Sequence, residues 1–75
     1  MPRIGTAFGL VFYVYAEDHN PPHLHAIYGD EEALLVIETG DVLAGELSGA
    51  KLKQAQQWLE ENRPLAVAAW QRLNP

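Results

Sequence analysis

The 75-residue chain has no cysteine, which excludes thiolate metal sites, thiol catalysis and a disulfide-stapled scaffold. Basic residues are also scarce: five Lys and Arg face ten Asp and Glu, for a net charge of −5. That balance opposes attraction to nucleic acid or an anionic membrane surface through a bulk field. Long apolar runs are missing. The longest, Ala7 to Ala16, falls well short of the roughly 20 residues that span a bilayer, and it carries neither the basic flank nor the cleavage site of a secretory signal. A cytoplasmic protein without membrane contact is the expectation. Ser48 is the sole serine and the glycines are scattered singly, so neither a serine triad nor a phosphate-cradling glycine loop has its parts. Repeats and low-complexity segments are absent as well.

What is present suffices for one small folded domain over residues 1–75, with 48% of residues apolar. A core of that size leaves little surplus stability, so metal binding, self-association or very regular packing are the remaining supports. The first half reads as β-structure, with strands over about residues 8–47. From Phe8 to Tyr15 the chain is dense in aromatic and β-branched residues. Phe8, Leu10, Phe12 and Val14 share one face, and Val11, Tyr13 and Tyr15 the other, which predicts cover on both sides; Gly9 reads as a bulge or close backbone approach. Further strands are predicted at His23–Tyr28, Ala33–Glu38 and, more weakly, Val42–Leu47, separated by turns at Gly29-Asp30 and Thr39-Gly40-Asp41.

At Ser48 the period lengthens to that of a helix. Ser48 is placed to act as N-cap, and Leu52, Ala55, Leu59 and Asn62 form a stripe beside Trp58, giving a helix over about 49–62. Pro64 then opens a second helix over about 64–73, in which Leu65, Ala68, Ala69 and Arg72 or Leu73 share a face, flanked by Val67 and Trp70. The expected fold is α+β: an antiparallel meander of three to four strands covered by two C-terminal helices. Trp58 and Trp70 read as core, with ligand stacking as the alternative.

Lys51 and Lys53 sit near the N-terminus of the first helix and Glu60 and Glu61 near its C-terminus, each where the macrodipole disfavours it. Solvent screening accounts for them; so does an acidic partner or a phosphate facing the two lysines, which makes Lys51 and Lys53 candidate binding residues. Glu31-Glu32 and Glu60-Glu61 read as decorations of solvated turns and helix ends.

The three histidines are bunched in Asp18-His19-Asn20-Pro21-Pro22-His23-Leu24-His25. In an extended segment His23 and His25 project from one face about 7 Å apart, and the double proline stiffens the loop that brings Asp18 and His19. Four readings follow. Asp18, His19, His23 and His25 are candidate ligands of a divalent transition metal, Zn, Ni, Co, Fe or Mn. The imidazoles could equally hold the hairpin together by hydrogen bonding and stacking. His23, His25 and His19 are candidate acid–base catalysts on a phosphodiester. Their joint protonation would make a pH switch.

Met1-Pro2-Arg3-Ile4, Phe8-Gly9-Leu10 and above all Tyr15 through Gly29 resemble the small bacterial domain of unknown function 4160 family, and the resemblance extends through Trp58 and Trp70. The family motif falls on Asp18, His19, Pro21, Pro22, His23, His25, Tyr28 and Gly29. The chain departs from it at Leu24, where Phe is common, and at Asn62, where a His is expected after the tryptophan helix. The resemblance implies a short cytoplasmic bacterial protein encoded beside another small protein, as in toxin–antitoxin pairs. The leading expectation is therefore an interaction module of such a pair, with the histidine cluster as its working surface and the neighbouring gene's product as partner. An RNA-directed hydrolase, metal-dependent or histidine-based, is the alternative, although net charge gives nucleic acid little support; a purely structural cluster is the third reading. Self-association is compatible with all three.

Overall fold

The computed structural model describes residues 2–75. Its elements are β1 (Arg3–Ala7), β2 (Leu10–Tyr13), β3 (His23–Tyr28), β4 (Glu31–Val36), β5 (Val42–Gly45), α1 (Lys51–Glu61) and α2 (Arg63–Leu73). The strands form one antiparallel sheet in the order β1-β2-β3-β4-β5. The architecture is α+β as expected, but with five strands instead of three to four.

The extra strand comes from the N-terminus. Arg3–Ala7 lacks the dense apolar character of a buried strand, yet it pairs with β2 because Phe8 and Gly9, at φ 57° and 78°, make a two-residue turn with both central residues left-handed. Such a turn matches the twist of a hairpin. The run from Phe8 to Tyr15 is thus not one strand: Gly9 is a turn residue instead of a bulge, and Phe8 is 47% exposed at the hairpin tip. Only one sheet face is fully covered by helices. Leu10, Phe12, Val14, Leu24, Ala26, Ala33 and Leu35 are fully buried on it. The opposite face, with Val11, Tyr13, Ile27, Leu34 and Val36 beside His23 and His25, is half-buried, and Trp70 of α2 reaches it at His23; its cover is partial, which corrects the expectation of cover on both sides.

The helices bury their aromatic residues as packing requires. Trp58 of α1 stacks on Phe12 with ring centroids 4.0 Å apart and planes 7° from parallel. Gly5 supplies the space, since a Cβ there would run into the Trp58 ring. In α2 the buried positions are Ala66, Ala69 and Trp70. Leu65 and Val67 face outward instead, so the inner stripe is displaced from the predicted one. Ser48 is not the N-cap. Ala50 occupies that position without a side-chain bond, and Ser48 donates from both its N–H and its hydroxyl to the Glu31 carboxylate. No helix among the described residues is long and apolar enough to cross a membrane.

Candidate functional site

The sheet and α2 meet at the loop between β2 and β3, and this is where the histidine chemistry collects. Glu17, in the left-handed region at φ 56°, turns the chain so that Asp18 faces the start of β3. Asn74, the C-cap of α2, fixes the loop from the other side. Its Oδ1 accepts the Asp18 N–H at 2.9 Å and its Nδ2 donates to the Tyr15 carbonyl at 3.1 Å. The C-terminal end of α2 therefore holds the residue that supplies the carboxylate.

His23 and His25 occupy alternate positions of β3, on one face of the strand as their spacing requires. Asp18 Oδ2 lies 3.0 Å from His23 Nε2 and 3.3 Å from His25 Nε2. These three residues form a group whose ligand atoms all lie within 4.8 Å of one another. His23 is 3% exposed and tilted against Trp70, ring centroids 5.4 Å apart. His25 takes Tyr15 edge-on at 4.5 Å. Trp70 thus both packs the core and walls the site.

The other nitrogen of each ring decides the chemistry. His23 Nδ1 lies 2.8 Å from the Pro21 carbonyl, and His25 Nδ1 lies 2.7 Å from Glu32 Oε2. A carbonyl and an ionised carboxylate only accept, so each Nδ1 carries the hydrogen and donates. Both rings are thereby oriented by Nδ1, and both Nε2 atoms face the Asp18 carboxylate. Burial pushes the Asp18 carboxyl up, but the His19 N–H bond, the His25 bond and the charges of both imidazoles outweigh it and hold it below its ordinary value. Burial, then the Glu32, Tyr13 and Asp18 charges, push the Tyr15 phenol up.

Of the residues marked in the sequence, Asp18, His23 and His25 are brought together. His19 is exposed and outside the group, linked to it through its N–H bond to Asp18 Oδ1 at 2.8 Å. Lys51 lies elsewhere: its ammonium sits 4.4 Å from the Tyr28 ring centroid and donates to the Phe8 carbonyl, tying α1 to the first hairpin. Lys53 lines a shallow surface hollow with Gln56, Gln57, Glu60 and Glu61. Asn62 donates to the Trp58 carbonyl at 2.8 Å and stands apart from the convergent group.

Glu32 was missed, although its position is computable. The two-residue turn at Gly29-Asp30 pairs Tyr28 with Glu31 and Ile27 with Glu32, which puts Glu32 on the face of His23 and His25 and diagonal to His25, within reach of a long side chain.

The architecture is that of a small α+β domain with a two-histidine, one-carboxylate cluster at the sheet end. Its sequence matches the family described as Domain of unknown function (DUF4160) over residues 9–71, and the chain belongs to that family. No curated protein and no solved structure matches it.

Proposed function

We propose that the protein is a metal-binding module whose divalent transition ion is held by Asp18 Oδ2, His23 Nε2 and His25 Nε2. One observation carries the reading: with both Nδ1 atoms engaged as donors, the two Nε2 atoms converge on Asp18 Oδ2 at 3.0 and 3.3 Å, all three within 4.8 Å of one another. In their neutral form the imidazoles turn Nε2 lone pairs toward the carboxylate, and a cation between the three atoms would convert that repulsion into attraction. The spacing suits one. Ligands about 2.0–2.1 Å from a tetrahedral ion are about 3.3 Å from each other. Two imidazoles and a carboxylate suit Zn, Ni, Co, Fe or Mn, and three protein ligands leave room for a water that the ion would activate. Such water would serve a hydrolase. A phosphodiester substrate is less well supported, because Lys51 and Arg63 already donate to the Phe8 and Ile37 carbonyls. Calorimetric titration of EDTA-stripped protein with Zn²⁺, Ni²⁺ and Mn²⁺ is the test. Binding tighter than about millimolar, lost in His23→Ala and His25→Ala, is the expected result, and its absence in the wild type would refute the reading.

A second reading, the two-protein module, is favoured by the partly covered sheet face. Val11, Tyr13, Ile27 and Leu34 set an apolar stretch on it beside His25 and Glu32, whereas the solvent face of an antiparallel sheet is normally polar. Its occupant would be the neighbouring gene's product that the family resemblance implies. Co-expression followed by size-exclusion chromatography tests this: co-elution abolished by Leu34→Lys supports it, and independent elution of the wild type counts against it.

A further inference from the structure

We infer that Glu32 is a positioning residue for the metal centre, setting both the tautomer and the donor strength of His25; this rests on the metal-binding reading above. The Glu32 carboxylate takes the His25 Nδ1–H at 2.7 Å, while the far nitrogen of the same ring lies 3.3 Å from Asp18 Oδ2. The line Glu32–His25–ion therefore has a carboxylate on the outer nitrogen. Such a carboxylate draws the Nδ1 hydrogen toward itself, enriches the ring in electron density and strengthens the Nε2 lone pair as a ligand.

The two histidines are unequal in this respect. His23 donates to a neutral carbonyl, that of Pro21, at 2.8 Å, so its ring is oriented without that electronic push. His25 alone has a charged outer partner. The backbone guarantees the contact: β3 and β4 are locked in register by their two-residue turn, and Glu32 lies on the same sheet face, diagonal to His25. Glu32 is also the free member of its pair, since Glu31 is committed to Ser48. The side chain of Glu32 is 45% exposed, so its replacement leaves the core intact.

The experiment measures Zn²⁺ affinity by competition with a chromophoric chelator in the wild type, Glu32→Gln, Glu32→Ala and Glu38→Gln. Glu38 is exposed and controls for loss of one negative charge. In parallel, long-range ¹H–¹⁵N spectra of the metal-free proteins at pH 9 read the His25 tautomer. Glu32→Gln should weaken Zn²⁺ binding about 10–100-fold while keeping the Nδ1–H tautomer, because its amide oxygen still accepts. Glu32→Ala should weaken binding at least as much and shift His25 toward the Nε2–H form. Unchanged thermal midpoints would separate this role from a merely structural one. If Glu32→Gln binds Zn²⁺ as tightly as Glu38→Gln, the inference is overturned and the metal reading stands. A wild type that binds no Zn²⁺ overturns both, since Glu32 would then have no ligand to position.

Discussion

Replacing Asp18 by asparagine should stabilise the metal-free protein at alkaline pH while abolishing metal binding. Asparagine has the shape of aspartate but presents an amide group. Its Oδ1 can keep the His19 N–H bond that Asp18 accepts at 2.8 Å, and its two N–H hydrogens would point at His23 Nε2 and His25 Nε2, where the carboxylate oxygen now lies at 3.0 and 3.3 Å. Two repulsive contacts become two hydrogen bonds. At about 0.5–1.5 kcal/mol each, reduced for a side chain that is 19% exposed, the gain is about 1–2 kcal/mol. For a domain of this size that corresponds to a rise in Tm of roughly 5–15 °C. Circular dichroism melts in EDTA at pH 9, where imidazole is neutral, provide the measurement. At pH 5, where free imidazole is protonated, the order should invert, since imidazolium donates to a carboxylate and is repelled by an amide N–H. An Asp18→Asn variant less stable than wild type at pH 9 would show that the lone pairs do not converge as argued, and the case for a bound cation would fall with it.

Three further outcomes are expected. Gly5→Ala drives a methyl group into the Trp58 ring and should cost about 1–3 kcal/mol, as overpacked cores do; an unchanged melting temperature would mean that Trp58 is not fixed against Phe12. Asn74→Ala removes the bridge between the Tyr15 carbonyl and the Asp18 N–H, which should lower stability by about 1 kcal/mol and weaken Zn²⁺ binding, and equal Zn²⁺ affinity would separate the C-terminal cap from the site. The Ser48 bonds hold the Glu31 carboxyl below its ordinary value, so its contribution is complete above the unfolded carboxyl pKa near 4.3 and is lost as pH falls through the lower folded value. Melting midpoints between pH 6 and pH 3 should accordingly fall less steeply in Glu31→Gln than in wild type, and parallel slopes would contradict the assignment.

The strands with dense β-branched and aromatic residues, and turns as explicit as Gly29-Asp30, were legible in the sequence because local chemistry and final structure agree there. β1 was not. Its residues make no apolar pattern, and its pairing is decided by a turn in which Phe8, a residue that rarely takes positive φ, does so beside Gly9. Ser48 shows another limit. Its type favours a helix cap, but the Glu31 carboxylate, brought close by tertiary packing, competes for it. At the site, the spacing of His23 and His25 identified two members of the cluster, whereas the departure of His19 depended on how the loop turns at Glu17. Glu32 required strand register, which the sequence contains only once the turn length is known.

These features join stability to the site in a way that composition alone did not suggest. A chain this small, without a disulfide, has few means of fastening its long loop between β2 and β3. Asn74 fastens one side of that loop to the end of α2, and the Asp18–His23–His25 group fastens the other to β3. The second fastening depends on charge: imidazolium donates to the Asp18 carboxylate, whereas neutral imidazole would set a lone pair against it. The ion proposed there would make the contact attractive at neutral and alkaline pH and would add about 2.7 kcal/mol at a free concentration 100 times Kd, a substantial fraction of the stability of a small domain. Metal binding, loop order and docking of α2 would then be linked through Asp18, whose N–H is held by Asn74 at the end of the helix and whose carboxylate would hold the ion. An acidic residue whose partners are cations, imidazolium at low pH and the proposed ion at higher pH, is what such a linkage would require, because an amide in its place would hold the loop without either.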